Sequence, residues 1–476
     1  MTAQILRFTK PIGLALLILM SGVAQEARAA TAHTVELAPG DNIQARVNAE
    51  PAGTTFVLLA GVYRMQSVQP KNNDIFNGQG SAILNGSKLL KFEPGTAGSG
   101  LWAANATALA PDSGVCQSTH PLCNYDQDLF IDGVLQTPAA KSTGLKAGQW
   151  YFDRVAGKVY IATDPAGQTV ELGMTQFAFS GIASGVQIES LTVEEYANRA
   201  QTGAVGAYKD GDGWIVSHVE SRFNHGTGIS LGPGGQILDS YSHNNGQMGI
   251  AIVNGANSKV IGNELSWNNY AGYATNWEAG GSKFWNTTNL WVETNYVHDN
   301  KGPGLWTDYN NTGTVYQSNT VVNNFASGIV HEISYSATIA SNTVENNGGD
   351  PDSTSWNAQI VVANSSNVTV ESNTIEVPAS SGDGIDLINE QRGSGSQGEW
   401  LAAHNSVHNN KVVYLGGAGR TGIFDYLGHG TAVGNNFDHD QYILDEGGAS
   451  HWMWFTKMTW KQLQSAGQET HGLCCS

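Results

Sequence analysis

From about Gly185 onward, apolar and polar positions recur in one order: a short β-branched run, a polar corner rich in asparagine, then a glycine opening another apolar run. The corners read Asn224-His225, Asn244-Asn245, Asn268-Asn269, Asp299-Asn300, Asn323-Asn324 and Asn346-Asn347. Gly228, Gly249, Gly272, Gly304 and Gly328 open the runs that follow, at intervals of 21, 23, 32 and 24 residues. The long interval reads as an insertion, Ala279 to Trp285, laid over a period in the low twenties. Gly384-Ile385 and Gly422-Ile423 continue the series with larger insertions. A period of this size, made of strands and lacking helical spacing, predicts a solenoid. Leucine-rich repeats need a leucine framework that is absent, and a propeller blade needs about 40 residues. One winding of a parallel β-helix fits, with three short strands per turn. Asparagine suits its corners because it tolerates left-handed backbone, and amides stacked at strand spacing form hydrogen-bonded ladders. The 18 asparagines between residues 251 and 350 are too many for ordinary loops.

The flanks depart from that period. Residues 30–99 carry strand and turn signals, notably Phe56 to Tyr63, and are expected to form the first coils. Residues 100–175 break the pattern, with Asp128–Gly133 and Gln149–Asp153 as hairpins of an inserted β-subdomain. Repeats run over 176–445, and 446–476 forms a cap. There Thr459-Trp460-Lys461-Gln462 has capping-box spacing and starts a short helix that would shield the last coil's open edge. The expected fold class is all-β, a parallel solenoid with an inserted subdomain and a short C-terminal helix.

Residues 1–29 read as a secretory signal peptide. Arg7 and Lys10 form its basic region, Ile12 to Met20 its apolar region, and Ala27-Arg28-Ala29 its cleavage site. The apolar run is too short to span a bilayer, and no second run of spanning length follows. Secretion or periplasmic export is therefore expected. Of 23 basic and 41 acidic residues, cleavage removes Arg7, Lys10, Arg28 and Glu26, leaving 20 against 40 and a net charge of −20. That excludes a basic nucleic-acid binder. Disorder is excluded by 40% hydrophobic content with 13 Trp, 16 Tyr and 14 Phe. Cys116 and Cys123 are expected to close a local disulfide, as befits an oxidising compartment. Cys474 and Cys475 stay unassigned, and no short Cys/His spacing marks a zinc site.

With its Asn-rich corners followed by Gly-apolar strands, the chain resembles the right-handed parallel β-helix repeats of the pectate-lyase-like superfamily, over about residues 34–90 and 176–445. The resemblance implies the fold. It leaves the chemistry open, since that superfamily holds polysaccharide lyases, glycoside hydrolases, mannuronan C5-epimerases and non-catalytic adhesins. Gly428-His429-Gly430 and Gly382-Asp383-Gly384-Ile385-Asp386 are similar to polygalacturonase motifs, but that family's Asp-Asp pair and Arg-x-Lys motif are missing. His331-Glu332 is similar to the end of the epimerases' Asp-Pro-His-Asp/Glu run, although Val330 precedes it.

Strand alternation places side chains on the two faces of the wall. Aligned on their opening glycines, Tyr273, Leu305 and Ile329 point inward, while Asn276, Asp308 and Glu332 form an outward column. Trp306 lies beside that column, Glu278 and Asn310 extend it, and Lys283, Trp285 and Trp291 rise nearby. Carboxylates, an amide and tryptophans together suit carbohydrate. Asp308 and Glu332, about 5 Å apart on neighbouring coils, match a retaining glycosidase pair; binding of Ca²⁺ or a merely solvated surface are the alternatives. Alternation turns His331 inward beside Thr275 and Thr307, whereas a bulge would bring it out beside Tyr335 as a base. Lys283, Lys301 and Tyr309 are rival bases, and His298-Asp299-Asn300 is a structural corner. The expected function is an exported, monomeric enzyme hydrolysing a polysaccharide through Asp308, Glu332 and His331. Its substrate-binding set is Asn276, Glu278, Lys283, Trp285, Trp306, Asn310 and Tyr335. A Ca²⁺-assisted lyase or C5-epimerase with a Lys, His or Tyr base, and a non-catalytic glycan-binding surface protein, remain the alternatives.

Overall fold

The computed structural model describes residues 33–95, 100–206, 211–350, 356–428, 432–445 and 450–475. The expected signal peptide and His429 lie outside them. Each winding contributes three short strands, as in Leu305–Asp308, Thr314–Gln317 and Thr320–Val322, before Ile329–Glu332 begins the next. Strands of successive windings pair in parallel, with Leu305 opposite Ile329, Val315 opposite Thr338 and Val321 opposite Val344. One face forms an eleven-stranded sheet; the other two join into a sheet of 24 strands. The interior is a stack of inward side chains such as Leu305, Ile329, Ile360 and Ile385, all fully buried. β-Branched residues suit this packing because their stiff side chains fill a pleated surface.

Two files of corner amides run along the solenoid. In the first, Asn224, Asn245, Asn268, Asn300 and Asn324 each donate from Nδ2 to the Oδ1 of the next, at 2.9–3.1 Å, and Asn347 closes the file on Gln359. In the second, the same bond links Asn263, Asn295, Asn319, Asn342, Asn373 and Asn410 and ends on Asp440. The residue before each amide turns left-handed, as at Asn244 (φ 49°), Asn323 (φ 57°) and Ser318 (φ 55°). The glycine after the first file is fixed by close approach. A Cβ on Gly304 would lie 2.7 Å from the Gly328 carbonyl and 3.0 Å from Asn324 Nδ2.

Residues between Ser87 and Gly173 leave the solenoid and form two small sheets, one of four strands and one of five. They share their own core of Leu129, Ile131, Trp150, Phe152, Val159, Ile161, Val170 and Leu172. A buried contact joins this subdomain to the solenoid: His225 Nδ1 lies 2.7 Å from Asp128 Oδ2, to which the Tyr270 hydroxyl also donates. Cys116 and Cys123 are disulfide-bonded, with Cα atoms 5.5 Å apart. Cys474 and Cys475 are bonded to each other. Trp460–Ser465 is the expected C-terminal helix, its capping box formed by Thr459 and Gln462. It rests Trp460 on Trp452 and Tyr442. A second helix, Ile43–Ala49, was not foreseen; Asn42 caps it, and Ile43 and Val47, one turn apart, bury against the first coil. Among the described residues no helix is long and apolar enough to cross a membrane.

The ladders predict opposite effects at adjacent positions. Asn319 donates to Val292 O and Asn342, and accepts from the backbone and side chain of Asn295. Asn319→Ala strands several of these groups in the interior and should cost about 2–5 kcal/mol, read from the urea midpoint. Ser318→Gly, which relieves a left-handed backbone, should be neutral or stabilising by up to about 1 kcal/mol.

Candidate functional site

The site lies on the outer surface of the eleven-stranded sheet, across the strands Gly280–Trp285, Leu305–Asp308 and Ile329–Glu332. Register puts Trp285 opposite Asp308 and Asp308 opposite Glu332, with Trp306 opposite Val330. Two outward files result: Trp285, Asp308 and Glu332 in one, Lys283, Trp306 and Val330 in the other. All of these but Trp285 floor a cleft of about 740 Å³. Its walls are Gln117–Thr119 from the disulfide loop, Ala274–Trp277, the corner Phe325–Ser327, and Asp350, Trp356 and Arg392. Thr275 fastens one wall to another by donating to Asp350 Oδ2 at 3.0 Å.

Charges in the cleft are paired across coils. Lys283 Nζ lies 2.9 Å from Asp308 Oδ2 and 3.2 Å from Glu278 Oε1, and stands 3.9 Å above the Trp306 ring. Burial pulls its pKa down, but Glu278 and Asp308 outweigh that and raise it. Asp308 Oδ1 has no hydrogen-bond partner. Glu332 is 4% exposed. It accepts from Trp306 Nε1 at 3.0 Å and pairs with Arg392. Burial, reinforced by Asp308, pushes Glu332 up to about 7 against the opposing pull of Arg392 and Lys283. Two carboxylates thus stand side by side in different surroundings. Calcium fits this arrangement poorly, because the ammonium and guanidinium already occupy the positions a cation would take.

Several expected positions are corrected. The strand aligned with Leu305–Asp308 opens at Gly281, whose added Cβ would meet Gly304 O, and not at Gly272. The insertion is therefore the segment after Asn269, while Gly280–Trp285 is a regular strand. Asn276 consequently leaves the column: it is exposed and reaches the cleft from the insertion, and Trp285 takes its place beside Asp308. Tyr273 is buried, but under the disulfide loop, with Cys123 and Ala279. Glu278 also belongs to the insertion and meets the cleft only through Lys283. Asn310 turns left-handed (φ 58°) and accepts from Ser396 N, holding a loop. Tyr335 is 3% exposed, with its hydroxyl donating to Gly398 O, so it braces the same loop. Trp291 lies on another face of the solenoid.

His331 is fully buried inside the wall. Its Nδ1 lies 2.7 Å from Thr307 Oγ1, and burial lowers its pKa to about 4. No bulge turns it outward, and its next-coil neighbour is Val362, so it lies on the opposite side of the wall from Asp308 and Glu332. Trp285 stacks on Tyr309 with centroids 5.0 Å apart, beside the carboxylates. Arg392, Trp277, Trp356 and Asp350 were not anticipated, because each stands on an irregular segment that the repeat does not index. The doublet Gly280-Gly281 was the one available signal for the true register.

Residues 204–375 match the family model for the right handed beta helix region. The fold of this chain is a right-handed parallel β-helix. XylC in complex with xylose is similar to it with a TM-score of 0.66 at 14% identity, over 84% of this chain and 80% of that one. A structure described as a glycoside hydrolase is similar with a TM-score of 0.50 at 12% identity, over 80% of this β-helix chain and 96% of the other. Among curated proteins no match is found.

Lys283→Met would leave the partly buried Asp308 and Glu278 without their shared, buried cation. It should cost up to about 3 kcal/mol, measured as a fall in the urea midpoint.

Proposed function

We propose that this protein is an exported glycoside hydrolase acting on a polysaccharide through Asp308 and Glu332. The observation that carries the reading is their asymmetry on adjacent coils. Asp308 has an ammonium on Oδ2 and a covered Oδ1 that no hydrogen bond holds, and we assign it as the nucleophile. Glu332, pushed up to about 7, is poised to hold and give a proton. Neighbouring coils are about 4.8 Å apart, close to the about 5–5.5 Å of a retaining pair. In such a mechanism Glu332 protonates the leaving oxygen while Asp308 attacks the anomeric carbon. Glu332 then takes a proton from the water that releases the sugar.

The walls support a neutral glycan. Trp277 and Trp356 offer rings to sugar C–H faces, and the exposed Asn276 offers an amide to hydroxyls. Lys283 and Arg392 are already committed to carboxylates, so little positive charge is left for a polyuronate or for the enolate of β-elimination. XylC, which shares the scaffold, is a xylose complex.

The test is incubation of the secreted chain with neutral and uronate polysaccharides, xylans among them. New reducing ends without ultraviolet-absorbing products are expected. Asp308→Asn and Glu332→Gln should each lower kcat by about 10²–10⁴-fold. Activity that needs protonated Glu332 should fall as pH rises through about 7. His331→Val, on the inner side of the same strand, should leave kcat within about threefold. Full activity in Asp308→Asn would refute the pair; unsaturated products would indicate a lyase, and glycan retention without product a binding protein.

A further inference from the structure

Far from the cleft, at the last coil, three side chains converge that the proposed chemistry does not use. Asp438 ends the strand Asn436–Asp438, His439 forms the left-handed corner after it (φ 65°), and His471 follows the C-terminal helix. The two imidazoles stack with centroids 4.7 Å apart and planes 18° from parallel. Both present Nδ1 to the same carboxylate oxygen: His471 lies 2.8 Å and His439 3.3 Å from Asp438 Oδ2. All three ligand atoms fall within 4.8 Å of one another. We propose that they form a binding site for a divalent transition metal of the zinc or copper type.

The geometry is prepared by the backbone. Asp438 Oδ1 is engaged by the N–H groups of His439 at 3.1 Å and His471 at 2.8 Å, which fixes the carboxylate and turns Oδ2 toward the rings. The segment after His471 is held by Leu473 N donating to Asp440 O at 2.8 Å, and by the pairing of Leu473–Cys474 with Gln441–Tyr442. Metal–ligand bonds of about 2.0–2.2 Å in a tetrahedron set ligand-to-ligand edges of about 3.3–3.6 Å. The observed 2.8 and 3.3 Å to Asp438 Oδ2 lie near or inside that edge, and because the two rings are nearly parallel, one of these exposed imidazoles must turn about its side-chain bonds to aim its Nδ1 at the shared metal. Two imidazoles and one carboxylate select zinc, copper or nickel over calcium or magnesium, which prefer all-oxygen sets. Exposure of the rings, 56% for His439 and 66% for His471, leaves the fourth position open to water.

Bound metal would tie the final coil to the segment beyond the helix, across a sequence gap of 32 residues between His439 and His471. That gap is why no short zinc spacing was visible. The site would act as a clasp on the cap.

The experiment is calorimetric titration of the full, tag-free chain with zinc chloride, with copper sulfate followed by electron paramagnetic resonance. One equivalent should bind at micromolar concentration, and the copper spectrum should show nitrogen coupling. His439→Asn, which suits the left-handed corner, and His471→Gln should each weaken binding at least about tenfold. Saturating zinc should raise the melting temperature of the wild type and leave that of the double variant unmoved. Absence of saturable binding below about 100 µM, or equal affinity in the double variant, would overturn the site.

Discussion

A primary amide buried in a protein wall has two donor hydrogens and an acceptor to satisfy, and here each finds its partner in the neighbouring winding. That requirement governs the molecule. Asn300 receives from Asn268 and gives to Asn324 and to Leu265 O, so each winding must sit one strand spacing from the last and in one register only. A slip of one residue would expose the apolar stack and break the amide file together. The glycines follow from the same demand, since a side chain at Gly249 or Gly328 would press on the amide opposite. The adjacency of Asp308 and Glu332 is a downstream effect. They meet because the corner amides Asn300 and Asn324, each eight residues earlier, leave their strands no other alignment.

Much of this was legible in the chain. Each first-file corner contains its ladder amide, and the period of the opening glycines implied stacked windings. The second file also left a signal that was passed over, Ser-Asn-Thr at 318–320, 341–343 and 372–374, while at its other windings the left-handed partner varies, as at Gly262 and Thr294. The site was half legible. Asp308 and Glu332 follow a regular interval, so counting from glycine placed them on one surface. Asn276 was misplaced because Gly272 and Gly281 both look like strand openers. Only the fold distinguishes them: Gly272 sits against the His120 ring, whereas Gly281 sits under the Gly304 carbonyl. Arg392 reaches Glu332 from 60 residues away on an irregular loop, and nothing periodic points to it.

Rigid and adaptable parts are divided by face. Amides and aliphatic stacks fill the corners and interior, while the outer surface of the eleven-stranded sheet gathers long charged side chains over tryptophan. Burial of Lys283 and Glu332 is tolerated because each charge has a partner on a neighbouring coil or loop. The paired charges of the cleft thereby stand on stacked strands, which hold such a pair of carboxylates in a fixed relation.

The amide bond between windings has nearly the same length whether its partners are separated by 21, 23, 32 or 37 residues. The spine is therefore indifferent to how much chain is looped out between its anchor points. Segments at the rim can be lengthened, shortened or exchanged without asking the core to repack. Such a design lets mutation explore new ligand pockets cheaply, and it offers engineers a chassis on which recognition loops can be swapped while the frame stays constant.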